Sequence, residues 1–176
     1  MTRARRQGGF TLVELMLVMT MIGILATISI PGVTRARYAS AEGSTLGALR
    51  MIMNAHASYA VSCGGGYYAP TMPVLATAPT ATGVAFIGAP FTANTTNRQG
   101  YRILYTAGPV AATSPASCNG QARGRGRDSY FVSAAPLVAG SGRFFGTGPG
   151  GVIYQSRQAV RAFYTGAAAA PAVTLR

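Results

Sequence analysis

Residues 7–31 read QGGFTLVELMLVMTMIGILATISIP, and their reading decides the fold. From Phe10 to Ile30 the run is apolar apart from Glu14 and a few Thr and Ser. About 20 such residues in a helix span the hydrocarbon of a bilayer. Arg3, Arg5 and Arg6 precede the run. Positive charge stays on the cytoplasmic side of a membrane helix, so everything after the run faces outward. An acid inside such a run is costly. Translocon scales charge about 2.5–3.5 kcal/mol at the helix centre, and less near the edge. Glu14 is therefore a candidate functional residue that needs a partner.

Two plainer readings compete. A secretory signal could end at Ala39-Ser40-Ala41, giving a secreted domain. An h-region normally runs about 7–15 residues without an acid, however, and Arg35 and Arg37 crowd that cut. A plain transmembrane anchor fits the length but gains nothing from Glu14.

The rest of the composition bounds what the chain can do. Its 176 residues are a one-domain length. Only 10% are charged, with 23 Gly and 10 Pro, which favours strands, turns and loops beyond the first helix. All 15 basic residues are Arg; the three acids Glu14, Glu42 and Asp128 leave a net charge of +12. That balance favours a polyanion or a membrane surface and says nothing about fold. It argues against calcium, which needs several oxygen ligands in one place. Cys63 and Cys118 have only His56 to join them, too few ligands for zinc. In an exported chain the simpler reading is one disulfide, the other being two buried free thiols. The bond would close a loop of more than fifty residues, worth roughly 4 kcal/mol by chain entropy.

The whole N-terminus, MTRARRQGGFTLVELMLVMTMIGILATISIP, resembles that of type IV pilins and the pseudopilins of type II secretion. That family has a basic leader, a Gly, a cut, and then Phe-Thr-Leu-[Ile/Val]-Glu-[Leu/Met]. Gly9, Phe10, Thr11, Leu12, Val13, Glu14 and Leu15 match it. The resemblance implies that a membrane prepilin peptidase cuts between Gly9 and Phe10 and methylates the new amine on Phe10. It also implies a helix bend at Pro31. The chemistry agrees. Glycine lets the chain approach a protease closely. Cleavage creates an ammonium that can pair with Glu14 of a neighbouring subunit inside an apolar filament. A charge is tolerated in a low-dielectric place when paired and intolerable when alone. Glu14 would then set the register between subunits.

Past Pro31-Gly32, Leu46, Leu49, Met53, Ala57 and Ala60 recur at three- and four-residue steps, the apolar face of an amphipathic helix. His56 lies beside that face as a packing or surface residue. Gly64-Gly65-Gly66 ends the helix. The stretch from 64 to about 98 reads as loop with short irregular pieces. Candidate strands follow at Tyr101–Thr106, Ser129–Ala134, Arg143–Gly146 and Gly151–Tyr154, the last two joined by a TGPGG turn. RFFGTGPGGVIY resembles the strand-turn-strand ending of many secretion pseudopilins and minor pilins. The tail from Gln155 reads as loose or edge-covering.

The expected architecture is α+β and pilin-like. A leader (1–9) precedes a transmembrane or filament-core helix (10–30) and its amphipathic second half (31–63). A β-rich head (64–176) packs on that helix as a small antiparallel sheet of three or four strands.

No catalytic constellation is visible. There is one His, no acid near it in sequence, and no paired carboxylates. GRGR lacks the Lys-Ser/Thr end of a phosphate loop. No cofactor or metal is implied. Arg123, Arg125 and Arg127 alternate with Gly in ARGRGRDSY, near Tyr130, Tyr101 and Tyr105. They read either as a solvated loop or as a contact for a phosphate backbone, such as DNA. Arg35 and Arg37 are better placed for anionic lipid headgroups.

The leading expectation is a structural subunit of a type IV pilus-like filament, resident in the inner membrane before assembly and extracytoplasmic after it. Its partners would be copies of itself or related pilins, the prepilin peptidase and the assembly platform. The alternatives are a type II secretion pseudopilin, a minor pilin for DNA uptake, or, from another class, a secreted or anchored monomeric binding domain.

Overall fold

A computed structural model describes residues 9–80, 83–160 and 173–175. Residues 1–8 of the leader, and most of the tail beyond Val160, lie outside the described residues. The chain divides into two compact units, Met1–Tyr38 and Ala39–Arg176.

The first helix, α1, runs Leu12–Ser62 and keeps its helical assignment through Pro31. It starts where a cap is available. The Glu14 backbone N–H donates to Thr11 Oγ1 at 3.2 Å, so Thr11-Leu12-Val13-Glu14 has the Thr-x-x-Glu spacing of a capping box. In the first unit every described side chain is exposed. The polar ones there satisfy themselves locally. Thr20 donates to Leu17 O, Thr27 to Ile24 O, Ser29 to Leu25 O and Thr34 to Pro31 O, at 2.7–3.0 Å. A hydroxyl bonded to its own helix leaves no unmet donor in an apolar medium.

In the second unit α1 buries Thr45, Ala48, Leu49, Ile52, Ala55, His56, Tyr59 and Ala60. The helical period is the expected one, but the buried stripe is rotated. Ala57, expected inside, is exposed, while Leu46 and Met53 are only partly covered. The reason is that His56 and Tyr59, which a hydropathy pattern undervalues, take central positions. The helix ends at the glycine triplet, as expected. Gly64 N–H and Cys63 N–H both reach Tyr59 O, and Gly66 N–H reaches Ala60 O at 2.8 Å. Gly65 and Gly66 have φ of 59° and 92°, which only glycine adopts freely. A Cβ on Gly64 would strike Tyr67 O and the Tyr59 ring.

The head is a six-stranded antiparallel sheet in sequential order. Its strands are β1 Thr95–Arg98, β2 Tyr101–Ala107, β3 Tyr130–Pro136, β4 Phe144–Thr147, β5 Ile153–Ser156 and β6 Val173–Thr174. The four expected strands are present within a residue or two at each end, and the expected count of three or four is too low. Sequence alternation misses β1 (TTNR), an edge strand without an apolar residue, and β6, which is two residues long. The tail from Gln155 thus supplies half of β5 as well as the edge strand β6. A short helix, α2 (Met72–Ala76), forms in the stretch read as loop, with Pro73 in its first turn, where a missing N–H costs nothing.

One core joins these elements. Leu49, Ile52 and Tyr59 of α1 pack with Met72 and Leu75 of α2 and with Ile103, Val132, Phe145 and Ile153 of the sheet. The inward residues of β2 alternate as Tyr101, Ile103 and Tyr105, with Arg102 and Leu104 outside.

Candidate functional site

The N-terminal segment is built for access. Gly9, Phe10 and Thr11 precede the first helical turn and are exposed, Phe10 to 75%. The Gly9–Phe10 bond is thus non-helical and exposed among the described residues. Glu14 lies in the first turn of α1, where the helix dipole favours an anion. From Leu12 onward α1 contains an 18-residue window long and apolar enough to cross a membrane, none of it buried within the chain. Leu12, Val13, Ile28 and Ile30 are each more than half exposed. No described residue of the chain covers that surface.

Residues 4–30 match the family model of the prokaryotic N-terminal methylation motif. The chain carries the prepilin-type motif. Type IV pilins and pseudopilins share this motif, and their role is structural rather than enzymatic. The matched residues include Gly9, Phe10 and Glu14, together with the apolar run up to Ile30. No curated protein and no solved structure matches the chain. Around the prepilin-type motif the fold is α+β, with a long N-terminal helix and an antiparallel sheet, consistent with a pilin.

Cys63 and Cys118 are bonded, with Cα atoms 4.9 Å apart. The bond fixes the 108–129 loop to the end of α1, and two further anchors hold the same loop. Asn119, buried, donates from Nδ2 to Val74 O at 2.6 Å, near the C-terminus of α2. Arg127 pairs its backbone with Tyr68 on one side and Val110 on the other. Its guanidinium donates to Gly108 O at 3.3 Å, and its Nε is buried without a partner among the described residues. The three arginines of this loop are therefore not equivalent. Arg123 and Arg125 are exposed, whereas Arg127 is part of the loop's framework. Gly126 between them is required, because a Cβ there would meet Ser114 and Tyr67 side chains at 2.7–2.9 Å.

Two pairings in the head carry no sequence motif. Glu42 accepts from the backbone N–H of Arg143 at 3.0 Å, and from its Nε and Nη2 at 3.1 and 2.6 Å. These bonds hold the Glu42 carboxyl below its ordinary range. Arg143 also donates to Gln155 Oε1 at 2.7 Å. With three acids in the chain, an acid on the amphipathic helix was the available signal for such a pairing. The second is His56, fully buried between Tyr105 and Tyr130. Burial pushes its pKa down to about 3, and pushes the phenols of Tyr105 and Tyr130 up. Among the described residues no group of three His, Cys, Asp or Glu could hold a metal.

Proposed function

We propose that this chain is a structural subunit of a type IV pilus-like filament. The prepilin peptidase cuts between Gly9 and Phe10 and methylates the Phe10 amine. The processed subunit waits in the inner membrane, spanning it with the apolar start of the helix, and the rest of the helix, to residue 63, carries the head (64–176). On assembly the apolar helices share a dry core, and Glu14 accepts the ammonium of a neighbouring subunit's Phe10. The chain is the substrate of an enzyme and not a catalyst.

The observation that carries this reading is the juxtaposition of the matched motif with an apolar helix that no described residue of the chain covers. Removing three leader arginines would take the side-chain charge from +12 to +9, leaving an apolar N-terminus with one acid. The test is intact mass of the protein from its native membrane, followed by Glu14→Ala. A chain starting at Phe10 with one added methyl, and loss of filaments with insertion retained in the variant, are the expected results. A chain starting near Glu42, or normal assembly of the variant, would overturn the reading.

A second reading, a type II secretion pseudopilin, is favoured by the β4–β5 hairpin at the C-terminal side of the sheet. Deletion in the native host separates the two. Loss of surface filaments supports the pilus reading, and loss of protein export supports the pseudopilus.

A further inference from the structure

Between Glu14 and Arg35 the chain has no charged side chain. The twenty residues from Leu15 to Thr34 are helical and exposed throughout. At about 1.5 Å per residue they measure about 30 Å, the hydrocarbon thickness of a bilayer. That match places both ends. Glu14 falls at the cytoplasmic edge, where an acid costs least, and Arg35 falls at the outer edge. Arg37 and Tyr38 follow within one turn. We propose that Arg35 and Arg37, with Tyr38 at their level, bind the phosphates of anionic phospholipids in the outer leaflet and so fix the depth of the waiting subunit. The inference rests on the membrane-spanning reading of α1 and adds a partner to it.

The geometry favours headgroups over a protein. Arg35 and Arg37 are exposed, and Tyr38 is 49% exposed. At 3.6 residues per turn, side chains two apart point about 200° away from each other. A protein surface covers one side of a helix, whereas a headgroup layer surrounds it. Carboxylate partners are scarce. Of three acids in the chain, Glu14 is at the other end of the run, Glu42 is held by Arg143, and Asp128 belongs to the 108–129 loop of the head. Guanidinium matches phosphate with a two-pronged donor set, its stem lies along apolar chains, and a tyrosine ring suits the interface. Removal of residues 1–9 takes Arg3, Arg5 and Arg6 from the inner side. Arg35 and Arg37 are then the only basic side chains before Arg50, and the depth of the helix depends on them.

The chain contains no Trp, so Tyr38→Trp in the full-length protein gives a single tryptophan at this level, excited apart from the remaining tyrosines. The variant is reconstituted in phosphatidylcholine vesicles containing phosphatidylglycerol, with bromine carried on one lipid or the other at equal mole fraction. The expected result is stronger quenching by brominated phosphatidylglycerol. The enrichment should be about five-fold per arginine at low salt, the ratio that ~1 kcal/mol gives. It should fall towards one in a background of Arg35→Gln and Arg37→Gln, and in high salt. Strong but equal quenching by both lipids overturns headgroup binding and leaves the spanning helix intact. Quenching by neither lipid overturns the spanning reading and the proposal with it.

Discussion

The imidazole of His56 lies flat on the ring of Tyr130, centroids 4.1 Å apart and planes 14° apart, and neither of its nitrogens has a hydrogen-bond partner among the described residues. Tyr105 stacks on it at 5.1 Å, and Tyr68 meets it edge-on. The site suits a neutral ring and excludes a charged one.

Acid should therefore loosen the head earlier than its carboxylates would. The folded pKa of about 3 lies below the ordinary 6.5, so from 6.5 downward the unfolded chain takes a proton that the folded one refuses. The stability due to neutral His56 is complete above 6.5 and is lost as the pH falls toward about 3, at about 1.4 kcal/mol per pH unit. With one His and three acids in the chain, His56 is the only side chain with an ordinary pKa between 5 and 6.5. Denaturation midpoints between pH 7.5 and 5 should slope in the wild type and lie flat in His56→Phe. Equal slopes would place the proton elsewhere.

Glu42 and Arg143 should be coupled. The Arg143 side chain is 47% exposed and that of Glu42 14%, so screening limits the pair to about 1 kcal/mol despite its three hydrogen bonds. A double-mutant cycle with Glu42→Gln and Arg143→Ala measures it. Arg143→Lys should not restore the coupling, because an ammonium lacks the planar fork. Because the Glu42 carboxyl is held below its ordinary value of 4.5, this contribution is present above 4.5 and lost as pH falls below it. A coupling that persists at pH 2 would contradict the ion pair.

The Cys63–Cys118 bond spans 55 residues of sequence, a loop whose closure is worth roughly 4 kcal/mol by chain entropy. Reduction, or replacement of both cysteines by Ser, should lower the unfolding free energy by an amount of that order. A loss below about 1 kcal/mol would mean that the reduced unfolded chain keeps enough structure of its own to offset the entropy term.

The loop arginines should separate. Arg127→Ser removes the bond to Gly108 O and should cost about 1–2 kcal/mol in thermal unfolding. Arg123→Ser with Arg125→Ser should change stability by less than about 0.5 kcal/mol, since both residues are exposed. If the head binds duplex DNA, only the double variant should flatten the salt dependence of affinity without destabilising the fold. An unchanged slope removes that role.

Much of this molecule is legible along the chain. The Gly9-Phe10-Thr11-Leu12-Val13-Glu14 signature, the uninterrupted apolar run and the glycine stop after Ser62 are local patterns, and the helix follows them. Four strands are legible because each has β-branched or aromatic residues beside a turn. β1 is not, because a polar edge strand exists only through its pairing with β2. Nor was the inward place of His56, since hydropathy spacing put Leu46, Met53 and Ala57 on the core face.

The sequence by itself determined the prepilin-type motif and the long apolar helix that carries it, because both are written in contiguous residues. Only the tertiary structure decided which loop arginine is framework and which are exposed, which acid is paired, and that the one histidine is sealed between tyrosines. Those properties depend on groups brought together from as far apart as Glu42 and Arg143, 101 residues along the chain, and burial and pairing energies follow distance in space.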